Sequence, residues 1–298
     1  MTDERVARIC AIASVLLWST VATGFKLGLR VLAPIELLTL GAAVSFVFFT
    51  LAIALTGRVA ALLELAPREW LRLGALGLVN PFLYYQVLFE AYRRLPAQIA
   101  QPLNYTWAIA LALLAVPVLG QRLEWRALGG IVVSYAGVVV LVSGGAHVSA
   151  NALDPLGIVL ALASTMIWAG YWLATVRVSG DSLVSMWVGF AVASPAIALV
   201  CALTHGLPAL TRETLAFGSW VGLVEMGVTF LLWQTALKRS AHAGRTAQYI
   251  FLSPFISLVL IDRVLGESVR WTSVAGLALI VAGLLLTGRP RVAQSTAA

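Results

Sequence analysis

Charge is scarce in this sequence: Asp, Glu, Lys and Arg make up 11% of its 298 residues, while 60% are hydrophobic. A soluble domain of this size needs roughly a quarter of its residues charged to cover its surface, so the composition excludes one and leaves an integral membrane protein. Cysteine is nearly absent. Cys10 and Cys201 lie in apolar context, match no disulfide or metal spacing, and read as packing thiols. His147, His205 and His242 stand near span ends with no nucleophile or ligand partner, and no Gly-rich phosphate loop is present. Nothing therefore supports phosphate-driven transport or metal or nucleophilic catalysis, and no cofactor, metal or catalytic group is expected. A lipid-handling enzyme would need such a cluster at an interface, which makes it the weaker class.

What the sequence has in abundance is long apolar runs. Crossing about 30 Å of hydrocarbon at 1.5 Å per residue takes roughly 20 residues. On that basis spans are expected near 7–28, 34–56, 71–92, 97–119, 125–143, 155–177, 183–205, 216–237, 243–262 and 270–287. The first run follows Arg5 and Arg8 but continues past Phe25 without a convincing small-residue cleavage site, so it reads as a retained helix rather than a signal peptide. Connections are short, and 292–298 reads as a disordered tail. The formal charge of +7 does not indicate nucleic acid, because the basic residues cluster at span ends. Arg5, Arg8, Arg58, Arg68, Arg72, Arg122, Arg126, Arg177, Lys238, Arg239, Arg245, Arg289 and Arg291 fall on one side. Lys26, Arg30, Arg93, Arg94, Arg212, Arg263 and Arg270 fall on the other, which places both termini in the cytoplasm.

Landmarks of the first half recur after five spans. Leu119-Gly120-Gln121, Trp125, Gly130 and Gly137 return as Leu265-Gly266-Glu267, Trp271, Gly276 and Gly283, each 146 positions on. Ala11, Ala13, Ser14 and Trp18 return as Ala161, Ala163, Ser164 and Trp168, and Gly74 with Gln86 as Gly222 with Gln234. An odd number of spans per repeat inverts the second half, the architecture of membrane carriers. The expected fold is therefore all-α, with ten transmembrane helices as two inverted five-helix repeats, 1–146 and 147–291, around a central cavity. A channel is the alternative within membrane transport, and interrupted helices argue against it.

The ten-span pattern, Gly266-Glu267 after the ninth span, Pro254 thirteen residues before that Glu, and Gly276 with Gly283 resemble the EamA family of the drug/metabolite transporter superfamily, over nearly the whole chain. Asn104-Tyr105-Thr106-Trp107 and Gly120-Gln121 are similar to its YddG-type exporters of aromatic amino acids and methyl viologen. Gln121 and Ala108 stand where the broader family carries Glu and Pro. The resemblance implies an alternating-access carrier of a bacterial inner membrane that exports amino acids, aromatic ones especially, and flat organic cations. Its partners would be that small-molecule substrate and membrane lipid, with purines, vitamins or other metabolites as alternative cargo.

Transporter sites lie near mid-membrane where helices break. The third span offers Gly77, Asn80 and Pro81; Pro81 donates no hydrogen bond, so the Gly77 carbonyl loses its helical partner. Asn80 sits about 14 Å along that span, and Tyr84 shares its face. Trp70, Trp125, Trp187, Trp220 and Trp271 fit the interfacial belts. Trp18, Tyr84, Tyr105, Trp107 and Trp168 instead fall near mid-depth, where their rings would stack on a flat ligand or attract a cation. Tyr105 and Trp107 are two apart and point away from each other on a regular helix, so both meet one pocket only if Pro102 distorts the fourth span. Gln101 shares a face with Tyr105, and Asn104 with Trp107. Glu225 is the one acidic residue near mid-depth, where an ionised carboxylate costs roughly 2.5–3.5 kcal/mol on insertion scales; it reads as a partner for a substrate amine or a proton-coupling group. Gly130, Gly137, Gly276 and Gly283 read as helix packing, and Glu90 beside Arg93 and Arg94 as structural.

Overall fold

The computed structural model describes residues 3–119, 125–143, 154–175, 178, 180–240, 246 and 248–287. Gly120, Gln121, Arg122, His147, Arg177, His242, Arg245, Arg289, Arg291 and the 292–298 tail lie outside the described residues. Among those described, all regular structure is helical. The elements are α1 (Asp3–Ser19), α2 (Val21–Gly28), α3 (Pro34–Leu55), α4 (Val59–Leu63), α5 (Pro67–Gly77), a π-helical turn Leu78–Leu83, α6 (Tyr84–Arg94), α7 (Ala97–Tyr105), α8 (Trp107–Leu119) and α9 (Trp125–Ser143). There follow α10 (Pro155–Thr175), α11 (Ser182–Thr204), α12 (Arg212–Trp220), a π-helical turn Val221–Glu225, α13 (Val228–Arg239), a 3₁₀ turn Gln248–Leu252, α14 (Ser253–Leu260), a π-helical turn Ile261–Leu265 and α15 (Trp271–Thr287). Among the described residues, six helical stretches are long and apolar enough to cross a membrane: Asp3–Gly28, Pro34–Leu55, Ala97–Val118, Pro155–Thr175, Ser182–Thr204 and Arg212–Leu237. Leu128–Leu141 and Trp271–Leu286 are shorter apolar helices.

Local chemistry sets the helix starts. Pro34, Pro67 and Pro155 open their helices, where a missing N–H costs nothing and the fixed φ suits the first turn. Glu36 Oε2 accepts from Ala33 N at 2.7 Å, and Glu69 Oε2 from Ala66 N at 3.1 Å. Asp181 caps α11 by accepting from Leu183 N at 2.7 Å. The breaks have equally local causes. Asn80, with φ −145° and ψ 115°, leaves helical geometry just before Pro81, and Gly227, with φ −111° and ψ −94°, does so after the Val221–Glu225 turn. The fourth span is interrupted at Thr106, whose N–H bonds Leu103 O at 3.1 Å, so the distortion lies four residues beyond Pro102.

Packing pairs the two halves of the chain. α9 lies along α15, and α3 along α11. α1 packs on α13 as α10 packs on α6; α1 meets α14 as α10 meets α7 and α8; and α3 meets α12 as α11 meets α5. Glycines permit the closest approaches. A Cβ on Gly137 would lie 2.6 Å from Gly276 O, and one on Gly276 would lie 2.7 Å from Gly137 O. Ser45 Oγ donates to Gly222 O at 2.9 Å across the contact of α3 with the Val221–Glu225 turn, and Ser194 Oγ donates to Ala42 O at 3.2 Å across α11–α3. Such small-residue seams are how helices associate where lipid offers no hydrophobic drive.

Helix ends gather on two faces. Ion pairs join Asp3 to Arg239 and Arg58 to Asp181 at the face where α1 begins, called here the N-terminal face. At the opposite face Arg94 pairs with Asp154, and Glu267 accepts from Ala97 N at 3.1 Å and Gln98 N at 3.3 Å.

Candidate functional site

A cavity of about 330 Å³ enters from the N-terminal face. Its mouth is formed by Thr175, Val178, Gly180 and Ser182 between α10 and α11, and by Leu237 near the end of α13. Its depth is reached at Asn80, Pro81, Tyr85, Met226 and Phe230, the level of the two helix breaks. The breaks put this floor at mid-span, because interrupting a helix exposes unpaired carbonyls only where protein or a polar cavity can receive them.

Of the residues expected from the sequence, Gly77, Asn80 and Pro81 stand on the cavity wall. Trp18, Tyr84 and Trp168 form the layer behind it. Trp18 packs edge-on against Phe230 and Trp233, with ring centroids 5.8 and 5.5 Å apart, and both partners are wall residues. Trp168 meets Phe230 at 6.1 Å and Trp172 at 5.9 Å, and tilts over Tyr84 at 4.6 Å. The repeat-related Trp18 and Trp168 thus flank one ring, Phe230. Glu225 is buried behind Tyr85, whose hydroxyl donates to Glu225 Oε1 at 2.9 Å. Asn104 is a step further out: its Nδ2 donates to Ser164 Oγ at 3.0 Å and more loosely to the Tyr84 hydroxyl at 3.4 Å. Tyr105, Trp107 and Pro102 are not on the cavity wall in this state. Gln101, buried like Pro102, sits in the half of α7 nearer the opposite face.

Six wall aromatics were not singled out from the sequence: Tyr85, Tyr171, Trp172, Phe190, Phe230 and Trp233. A signal for one of them was present. The register that pairs Gln86 with Gln234 also pairs Tyr85 with Trp233, which puts an aromatic at the matching position of that register in each half of the sequence.

The chemistry of the wall is selective. Among the described residues it holds no Lys, Arg or His, so a phosphate or dicarboxylate would enter without a counter-ion, a heavy penalty in a low-dielectric site. Aromatic faces favour flat apolar groups and cations instead. Three polar atoms around the floor find no partner among the described residues: Asn80 Oδ1, Trp172 Nε1 and Glu225 Oε2. Two are acceptors suited to an ammonium, and one is a donor suited to a carboxylate.

The family model described as EamA-like transporter family matches residues 6–143 and 155–289. A probable terminal-alkyne amino-acid exporter of Streptantibioticus cattleyicolor is 30% identical over 212 residues, 69% of each chain. An uncharacterized transporter, YvbV, of Bacillus subtilis is 27% identical over 230 residues, 74% of this chain and 72% of its own. A solved crystal structure, described only as that of a protein, superposes with a TM-score of 0.65 at 22% identity, covering 94% of this chain and 95% of that one. That likeness shows a shared fold.

Proposed function

The chain belongs to the EamA-like transporter family, and on that premise we propose that it is a secondary carrier exporting amino acids, aromatic ones among them, by alternating access. The observation that carries the reading is the ring-walled, cation-free cavity that opens at one face and ends at mid-span on two helix breaks. The relative named as an amino-acid exporter supports the substrate class.

The architecture behind this reading is ten membrane-crossing passages in two inverted repeats, 1–146 and 147–291. The two matched stretches, 6–143 and 155–289, support that division, as do the reciprocal helix pairings of α1 with α13 and α10 with α6. The bias of basic residues toward the N-terminal face supports a cytoplasmic mouth, in the inner membrane of a bacterium. An amino acid would place its ammonium toward Asn80 and Glu225 and its side chain among Phe230, Trp233, Trp18 and Trp168. Tyr84, Asn104, Tyr105 and Trp107 would join as the halves rock, with Gly77, Pro81 and Pro102 absorbing the movement. The same wall fits a flat organic cation.

Counterflow in proteoliposomes tests the reading. Vesicles preloaded with unlabelled tryptophan or phenylalanine should accumulate the labelled compound transiently, and aspartate should not compete. Equal competition by aspartate would overturn it, and a purine or vitamin outcompeting every amino acid would replace the substrate.

A further inference from the structure

Two ion pairs occupy equivalent places in the two halves but on opposite faces. Arg94 is the last residue of α6 and pairs with Asp154, which immediately precedes α10. Arg239 is the last residue of α13 and pairs with Asp3, the first residue of α1. Since α6 packs on α10 as α13 packs on α1, each pair closes the end of the corresponding helix couple. Their states differ. Arg94 Nη1 lies 2.7 Å from Asp154 Oδ2, and Glu90 Oε1 holds Arg94 Nε at 2.6 Å; the Arg94 and Asp154 side chains are 28% and 33% exposed. Arg239 lies 3.4 Å from Asp3, and those side chains are 53% and 78% exposed. The tight pair borders only a shallow surface depression, lined by Lys26, Arg94, Pro96, Gln98, Glu267 and Ser268, and the slack pair is on the face where the cavity reaching the helix breaks opens.

The closed face is pinned at further points. Lys26 Nζ donates to Tyr92 O and Leu95 O at 2.8 and 2.9 Å. Gln98 Oε1 accepts from Ser273 Oγ at 2.9 Å, and its Nε2 donates to Ser268 O at 3.1 Å. Beneath these contacts lie buried polar atoms with no partner among the described residues: Thr23 Oγ1, Gln86 Oε1, Gln101 Oε1 and Ser257 Oγ. An unpaired buried polar atom costs free energy unless some state hydrates it. None of the four stands on the cavity wall, and each belongs to a helix that runs between the level of the floor and the opposite face.

We propose that Arg94–Asp154 and Asp3–Arg239 are reciprocal gate pairs: the first is shut and the second slack in this state, and they exchange when the cavity opens to the opposite face. The proposal rests on the alternating-access reading but not on the substrate. Arg58–Asp181, 3.0 Å, joins the ends of α3 and α11, which pack along their length, so it is not one of the pair.

The test uses a single reporter, Gln101→Cys, in the full-length protein with Cys10→Ser and Cys201→Ala, labelled in vesicles by a membrane-impermeant maleimide from the opposite face. Because the reporter is buried here, its labelling rate follows the population of the other state. Asp154→Asn should raise that rate at least threefold; Asp154→Glu, which keeps the charge, should leave it near the parent value; Asp3→Asn should lower it or leave it unchanged. An unchanged rate in a folded Asp154→Asn protein, or equal acceleration by Asp3→Asn and Asp154→Asn, would overturn the gate. Asp154→Glu guards against misfolding, since acceleration there as well would mean that packing rather than charge is read. No amino acid is added, so a parent protein that fails to exchange amino acids while these rates hold removes the substrate and leaves the gate.

Discussion

Consider an alanine at Gly137, compared with one at Gly129 in the same helix. The Gly129 position is open, with nothing within 4 Å of an added Cβ. At Gly137 the same methyl would meet Gly276 O at 2.6 Å, Ile280 N at 2.8 Å and Leu279 Cβ at 2.9 Å. Both substitutions recover helix propensity, about 0.8–1 kcal/mol for Gly to Ala. Gly137→Ala must in addition force α9 and α15 apart, and overpacking of this kind costs about 1–3 kcal/mol. Propensity cancels in the difference, so Gly137→Ala should be less stable than Gly129→Ala by about 1–3 kcal/mol, read from unfolding in mixed detergent micelles. The repeat adds a sharper test. Gly276→Ala meets Gly137 O at 2.7 Å in the mirror-image contact, so its cost should match that of Gly137→Ala within about 0.5 kcal/mol. The double variant should cost less than the sum, because one methyl already opens the gap that the second needs. Gly137→Ala as stable as Gly129→Ala would refute the close-approach argument, and a strictly additive double variant would refute the shared seam.

Phe230→Ala removes the ring that both Trp18 and Trp168 touch, so tryptophan counterflow should fall at least about tenfold, the scale of losing two ring contacts of roughly 0.5–1.5 kcal/mol each, whereas Trp107→Phe should retain most of it. Tyr85→Phe removes the hydroxyl that donates to buried Glu225 and should destabilise the protein by about 1–3 kcal/mol; in a cycle with Glu225→Gln the two effects should be non-additive, and simple addition would count against the bond. Arg94, aided by the Gly157 and Leu156 N–H groups, holds the Asp154 carboxyl below its ordinary value, with Glu90 and Arg93 the neighbouring charges. A carboxyl lowered in the folded state contributes stability above its unfolded value near 3.9 and loses it as pH falls through the lowered value. Melting of the parent protein should therefore drop more steeply below about pH 4 than that of Asp154→Asn, and parallel acid limbs would contradict this.

Helix extents were legible because apolar length and helix-opening prolines are local signals: the expected 34–56 and 155–177 fall on Pro34–Leu55 and Pro155–Thr175. The break in the third span was legible too, since the Asn80-Pro81 pair marked where helical geometry is left. Facing was not. Trp18 and Trp168 touch the wall residue Phe230 from one layer behind, and Trp107 is off the wall altogether, because which side of an all-apolar helix meets the cavity depends on the neighbours that the fold supplies. The π-helical turns at Leu78–Leu83 and Val221–Glu225 also shift register along their helices, so face assignments made with a uniform 100° step drift beyond each break.

The two breaks also bear on how a fold this symmetric avoids resting in a symmetric state. Related helices meet related partners in both halves, so the packing core gives neither face a large advantage, and the balance falls to small terms at the helix ends. Exposed ion pairs are worth only about 0–1 kcal/mol each, a poor contribution to stability but well suited to biasing two arrangements of nearly equal energy. Glu90 adds a second ligand to Arg94 at the closed face, while the Asp3–Arg239 pair stretches to 3.4 Å at the open one. In the proposed cycle, a substrate seated among Asn80, Phe230 and Trp233 would touch both halves at their interruptions, and its differential contacts with the two arrangements would need only match those few end-of-helix interactions to carry the site from one face to the other.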